Sequence, residues 1–247
     1  MKNQFVGILV IALTLAFSAC GGGGTQSQQP NQTAPSPAPN ETVASVPQAA
    51  SLPPNQTDAG IVINGVRWAT RNVDAPGTFA ENPQDAGMLF QWNRRQGWSA
   101  TYPGIEGGVP EGWDRTRATG TAWYAENDPC PTGWRVPTRQ ELSGLQQTYT
   151  MVENWNNTGV NGALFGTAPN QIFLPAVNHR PGHRGGTLVD THEGRAGRYW
   201  SNEPHRGAYA PSLEFGWHSA RDGSYAGVNV AAERRSAISV RCVQDVE

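Results

Sequence analysis

All five histidines of the chain, His179, His183, His192, His205 and His218, fall in one window, with Asp190, Glu193 and Glu203 among them. Neutral imidazole and carboxylate are zinc ligands, and a loop could gather three of them. The spacing lacks the helical histidine pair with an intervening glutamate that would present two ligands on one face. Gly182, Gly185, Gly186, Gly194 and Gly197 leave the segment poorly pre-organised. It reads as scattered exposed histidines, and neither a metal nor a cofactor is expected.

No Ser-His-Asp context, phosphate-cradling loop or paired-carboxylate motif is visible, so no catalytic residue is expected. The remaining candidate chemistry is recognition. Trp98, Tyr102 and Trp113 lie between Gly97 and Gly120, and Arg180, Arg184, Arg195 and Arg198 lie in or beside His179 to Gly197. Aromatic faces and planar guanidinium groups suit sugars or peptides. The same tryptophans could equally pin their loop as core. The segment from His179 to Gly197 is expected to be an exposed excursion, because Leu188 and Val189 are its only large apolar side chains. Removing Arg184 to Glu193 should then cost little core.

Three cysteines carry the covalent chemistry. Met1 to Cys20 reads as an export signal: Lys2 is basic, Phe5 to Phe17 is almost wholly apolar, and Ser18-Ala19-Cys20 has the small-small-Cys ending after which a bacterial lipoprotein is lipidated. An ordinary secretory cut near Ala19 and an uncleaved anchor are the alternatives, and the apolar run is short for a membrane span. Lipidation of Cys20 is the reading adopted, with the membrane as the first partner. In an oxidising compartment Cys130 and Cys242 are expected to pair. Buried free thiols or a redox couple are the alternatives, but prolines flank Cys130 and Cys242 sits in an alternating run, so nothing marks a reactive thiolate.

The elements that must position these residues are short. Gly21 to residue 59 is a linker of Gly, Gln, Pro, Asn, Thr, Ser and Ala, too polar to offset its ordering entropy. The globular part is expected over 60–247. Asn64-Gly65 between Ile61-Val62-Ile63 and Val66-Arg67-Trp68 is a type I′ hairpin signature. Thr138 with Glu141 forms a capping box, and Leu142 and Leu145 put one apolar face on a helix of two or three turns. Trp134, beside that cap, is expected to be fully buried. Strands are expected over Met88–Trp92, Ile172–Pro175, Tyr209–Trp217, Tyr225–Val230 and Ile238–Val243, the last three closing the domain as an antiparallel meander. With 9 Trp, 29 Gly and 19 Pro, the class is loop-rich α+β. A net charge of -2, with lysine only at Lys2, gives no global pull toward nucleic acid.

Several blocks together resemble the Fibrobacter succinogenes major paralogous domain (FISUMP) family. These are Trp68-Ala69-Thr70-Arg71-Asn72-Val73, then Ala86 to Trp92, then the block from Asp128 to Leu142 with Cys130-Pro131-Thr132-Gly133-Trp134-Arg135-Val136-Pro137-Thr138 at its centre. Phe173-Leu174-Pro175-Ala176, Tyr199-Trp200-Ser201 and Ser239 to Val243 follow in the same order. The resemblance implies an exported lipoprotein domain of the cell envelope, with a fold similar to C-type-lectin-like and sulfatase-modifying-factor domains. It implies no established activity. Trp200 to Pro204 is similar to the Glu-Pro-Asn calcium and sugar motif of C-type lectins only in part, since His205 replaces the asparagine. Calcium wants six to eight oxygens, and Asn202 and Glu203 alone do not supply them. Formylglycine-generating enzymes share the related fold but use a close cysteine pair, whereas Cys130 and Cys242 are assigned to the staple. The expected function is a non-enzymatic, lipid-anchored binding or adhesion module for a glycan or protein. A structural subunit of a surface assembly is the alternative.

Overall fold

Asn64 and Gly65 sit at φ of 51° and 79°. This is the left-handed pair that a type I′ turn needs, and Gly65 takes it without a Cβ penalty. The turn joins β1 (Ile61–Ile63) to β2 (Val66–Trp68), with Ile63 opposite Val66. The computed structural model describes residues 53–101, 108–190, 194–217 and 223–245. The signal, Cys20, most of the linker, Tyr102, His192 and His218 lie outside the described residues.

The chain continues through β3 (Met88–Gln91), β4 (Gly97–Ser99), α1 (Arg139–Leu145), β5 (Tyr149–Val152), β6 (Gly162–Thr167) and β7 (Asn170–Pro175). It closes with β8 (Ala196–Trp200), β9 (Tyr209–Trp217), β10 (Ser224–Glu233), β11 (Ala237–Ile238) and β12 (Val243–Asp245). Four three-stranded antiparallel sheets result, ordered β1-β2-β12, β11-β3-β4, β5-β6-β7 and β10-β9-β8. This is a loop-rich α+β fold.

The capping box forms as its residues require. Thr138 Oγ1 accepts from the Glu141 N–H at 3.1 Å, and Glu141 Oε2 accepts from the Thr138 N–H at 2.7 Å. Arg135 grips the same carboxylate with two bonds of 2.9 and 2.7 Å. Leu142 and Leu145 are buried beneath the helix, in a core with Phe165, Tyr199 and Phe215.

The disulfide joins Cys130 to Cys242 with Cα atoms 6.0 Å apart. It sits in a second core cluster with Phe79, Trp92, Val136 and Trp200. Trp134 departs from expectation: it is only half-buried and packs on the rim of that cluster, edge-on to Phe79 at 5.5 Å. Arg241 is fully buried and donates to Asn72 Oδ1, Ala69 O and Phe173 O, tying the last segment to the first.

Three other expectations need correction. Ile238–Val243 is not one strand of a terminal meander. Only β8, β9 and β10 form that meander. β11 leaves it to pair with β3, and β12 pairs with β2. Residues 238–243 are buried on both sides, so their alternation does not mark a single solvent-facing surface. The linker ends earlier than residue 59: Phe79 N donates to Asn55 O, and the Asp58 carboxylate accepts from Thr70 and Arg71. The segment from His179 is no exposed excursion either. His179 pairs with Val189, Arg180 pairs with Ala237, and Leu188 belongs to a third core cluster with Leu89, Val177 and Ala237.

Candidate functional site

Trp98 and Trp113 do not present a ligand surface. Each is 8% exposed, and their rings pack on one another at 4.9 Å inside the third cluster. Of the two weighed roles, loop-pinning core is what their burial supports. Arg180 is 0% exposed and serves as an internal strut, donating from Nε to Ser99 O at 2.8 Å and from Nη1 to Gly186 O at 2.9 Å. A guanidinium suits such a place because its fork can satisfy several carbonyls at once.

The remaining arginines reach the surface in different settings. Arg195 lies over Trp217 and pairs with Glu153 at 3.2 Å. Arg198 is held between Glu214 at 3.6 Å and His179 Nε2 at 3.2 Å. His179 is itself buried. Desolvation, reinforced by Arg198 and then by His183 and Arg184, holds its pKa down at about 3. His183 and Arg184 are exposed, and among the described residues no group of three metal-ligating side chains occurs.

The structure instead gathers arginines that the chain keeps far apart. A cleft of about 300 Å³ is lined by Arg115, Arg117, Ala208, Tyr209, Glu233 and Arg235. Arg115 and Arg117 are exposed and have no carboxylate partner among the described residues. Their neighbour Asp114 is already occupied by Arg94 at 2.8 Å and by Thr116. Those hydrogen bonds and Arg94 hold the Asp114 carboxyl below its usual range, against the opposing effect of burial, which is the largest single influence. Arg235 pairs with Glu233 at 3.2 Å, and His183 Nδ1 stands 3.8 Å from the same carboxylate.

Buried polar side chains fix the walls of this cleft. The Gln91 amide, at the end of β3, donates to Asp114 O at 2.7 Å and to Arg235 O at 2.8 Å. One side chain therefore clamps the backbone beside Arg115 to that of Arg235. Arg234 does the same on the other side, donating to Tyr209 O at 3.0 Å, His205 O at 3.1 Å, Gly120 O at 3.3 Å and Ala118 O at 3.4 Å. Its guanidinium lies 4.4 Å over Trp92. Burial lowers the Arg234 pKa first, and repulsion from nearby Arg117 adds to it.

Trp113 seats the 182–186 turn. A Cβ at Gly186 would lie 2.3 Å from its ring, so only glycine lets the 182–186 turn come this close. Neighbouring Gly185 faces Arg115, since a Cβ there would lie 3.5 Å from Arg115 Nη2. Arg184, one residue earlier, is exposed and is not among the residues that line the cleft. Among the described residues, none of the surface candidates read from sequence lines this site. Arg115, Arg117, Tyr209 and Arg235 were missed. Their only signal was the local arginine density of Arg115-Thr116-Arg117 and Arg234-Arg235.

Two larger grooves are less distinctive. One, of about 650 Å³, runs between the β1–β2 hairpin and α1 past Ile63, Val66, Gln140 and Leu145. Another, of about 620 Å³, passes Asp85, Thr101, Asn178 and Asp190. Set beside protein-family models, curated proteins and solved structures, the chain matches none of them.

Proposed function

We propose that the chain is an exported, lipid-anchored and non-enzymatic binding module of the FISUMP type, whose ligand is a glycan or a protein of the cell's surroundings. The observation that supports this reading is the arginine-lined cleft. Its walls are locked by buried Gln91 and Arg234, while three guanidinium groups and Tyr209 face outward. Pre-organised side chains lose little conformational entropy on binding. The test is a glycan and protein array probed with the purified full chain. Binding to one class, abolished by Arg115→Ala with Arg117→Ala, is the expected outcome; binding to neither class overturns the reading. Anchoring is tested separately by Cys20→Ser, which should leave an unprocessed or detergent-independent form; unchanged partition into detergent removes that part.

A second reading, a structural subunit of a surface assembly, draws support from β10. Among the described residues it pairs with β9 along one edge only, and it carries no charge from Ser224 to Ala232. Such an edge is a template for another strand. A register shift between Asn229 and Ala232 interrupts it, a common device for blunting an edge. Sedimentation decides between the readings: an oligomer broken by Asn229→Lys favours assembly.

A further inference from the structure

The cleft lining contains three arginines and one glutamate, leaving two positive charges uncompensated in about 300 Å³. The whole chain, by contrast, has a net charge of -2. The cleft thus carries a local excess of the sign opposite to that of the whole chain, and a concave wall focuses its field outward.

Chemistry distinguishes the ligands that such a face can take. Guanidinium groups bind carboxylate and sulfate through paired, planar N–H bonds. Tyr209 is 40% exposed at the cleft wall and offers an aromatic face on which a sugar ring can stack. A long duplex or a membrane surface would need an extended basic stripe, whereas this cleft has room for one or two sugar units. Glu233 acts as an internal counter-ion: it holds Arg235 at 3.2 and 3.4 Å, and an incoming anion must take that guanidinium from it.

We propose that this cleft is a binding site for anionic polysaccharide, with Arg115, Arg117 and Arg235 gripping carboxylate or sulfate groups and Tyr209 stacking on the ring that bears them. The site rests on the binding-module reading and narrows it to one ligand class. Glu233 competes with the ligand for Arg235, so it sets the affinity and the salt sensitivity of the site.

The experiment uses the purified full chain in detergent and calorimetric titration at low and at physiological ionic strength. The probes are polygalacturonate, dextran sulfate, uncharged dextran, polyglutamate and a single-stranded oligonucleotide. Expected is binding to polygalacturonate, dextran sulfate or both, weakened by salt, with no uptake of uncharged dextran. The two anionic glycans separate carboxylate from sulfate recognition. R115A with R235A should weaken that binding by about tenfold or more, since hydrogen bonds to charged groups are at stake. The Gln91 clamp runs to backbone carbonyls, so the melting temperature should stay in place. R115K with R235K keeps the charge but loses the planar fork, and should fall between the two. E233Q should tighten binding by about two- to fivefold, the worth of an exposed ion pair. R195A, on Trp217, should change nothing. Anionic-glycan binding that ignores R115A with R235A overturns the site. Equal uptake of polyglutamate or the oligonucleotide overturns the ligand class. A neutral glycan bound elsewhere overturns the proposal while leaving the binding-module reading in place.

Discussion

Arg241 is a cation held at 0% exposure by three carbonyl oxygens, those of the Asn72 side chain and of the Ala69 and Phe173 backbones, with no carboxylate at ion-pair distance among the described residues. Burial pushes its pKa down to about 10, still well above physiological pH. The charge persists because the guanidinium satisfies acceptors that would otherwise be orphaned. Arg241→Met should therefore cost about 3–5 kcal/mol in urea unfolding, since each stranded acceptor carries its own desolvation penalty. Burial lowers the pKa of His179 as well, but there it leaves the ring neutral at physiological pH. Its folded pKa, about 3, lies below the ordinary value of 6.5. The unfolded chain thus binds the extra proton first, and stability is fully present above pH 6.5 and drains away as pH falls toward 3. By pH 5 the loss is on the order of 2 kcal/mol. Comparing wild type with His179→Gln between pH 7 and pH 5, a window set by that shift, should show the variant's stability curve flatter. Trp134→Ala should cost about 2–4 kcal/mol in the same unfolding experiment, somewhat less than a fully buried tryptophan, because its ring is only partly buried on the rim.

Elements whose reasons are local were legible in the sequence. The hairpin depends on Asn64-Gly65, and α1 depends on Thr138, Glu141 and two leucines, all within a few residues of one another. β6, Gly162–Thr167, was not among the expected strands, and two of its six residues are glycine, which weakens any strand signal. Gly162 is there because a Cβ would meet Leu174 O at 2.3 Å and the Phe173 ring at 2.6 Å, a crowding visible only once β7 is in place. The turn after His179 failed for a similar reason. Its glycines signalled freedom, yet Leu188 is 2% exposed and Gly186 lies against Trp113. Leu188→Ala should accordingly cost about 2–5 kcal/mol in a thermal melt. Deleting 184–193 should unfold the third cluster, where the glycine count alone predicts tolerance. The arginine cleft was least legible of all. Its walls come from 115–117, 209 and 233–235, and they meet through the side chains of Gln91 and Arg234 rather than through any motif.

At the scale of the molecule, the first and last strands of the described domain are stitched together. β12 pairs with β2, Val73 N donates to Val240 O, and the disulfide fixes the segment before α1 to the segment before β12. Replacing Cys130 and Cys242 by alanine should lower the unfolding free energy by about 2–5 kcal/mol, given a sequence separation of 112. Non-reducing peptide mapping should recover the two cysteines as one joined pair.

That cross-link also governs how the domain would bear tension. A pull on the two ends cannot extend the stretch from Cys130 to Cys242, because the covalent bridge shunts the load past it. At roughly 3.5 Å per residue, a contour length on the order of 400 Å stays hidden until the bridge is reduced. What can unravel is the part outside the loop, and that part carries Arg115 and Arg117. Tyr209, Glu233 and Arg235 stay within it. Force large enough to peel residues 53–129 would draw one wall of the cleft away from the other. The cleft would then open while the cross-linked remainder kept its fold.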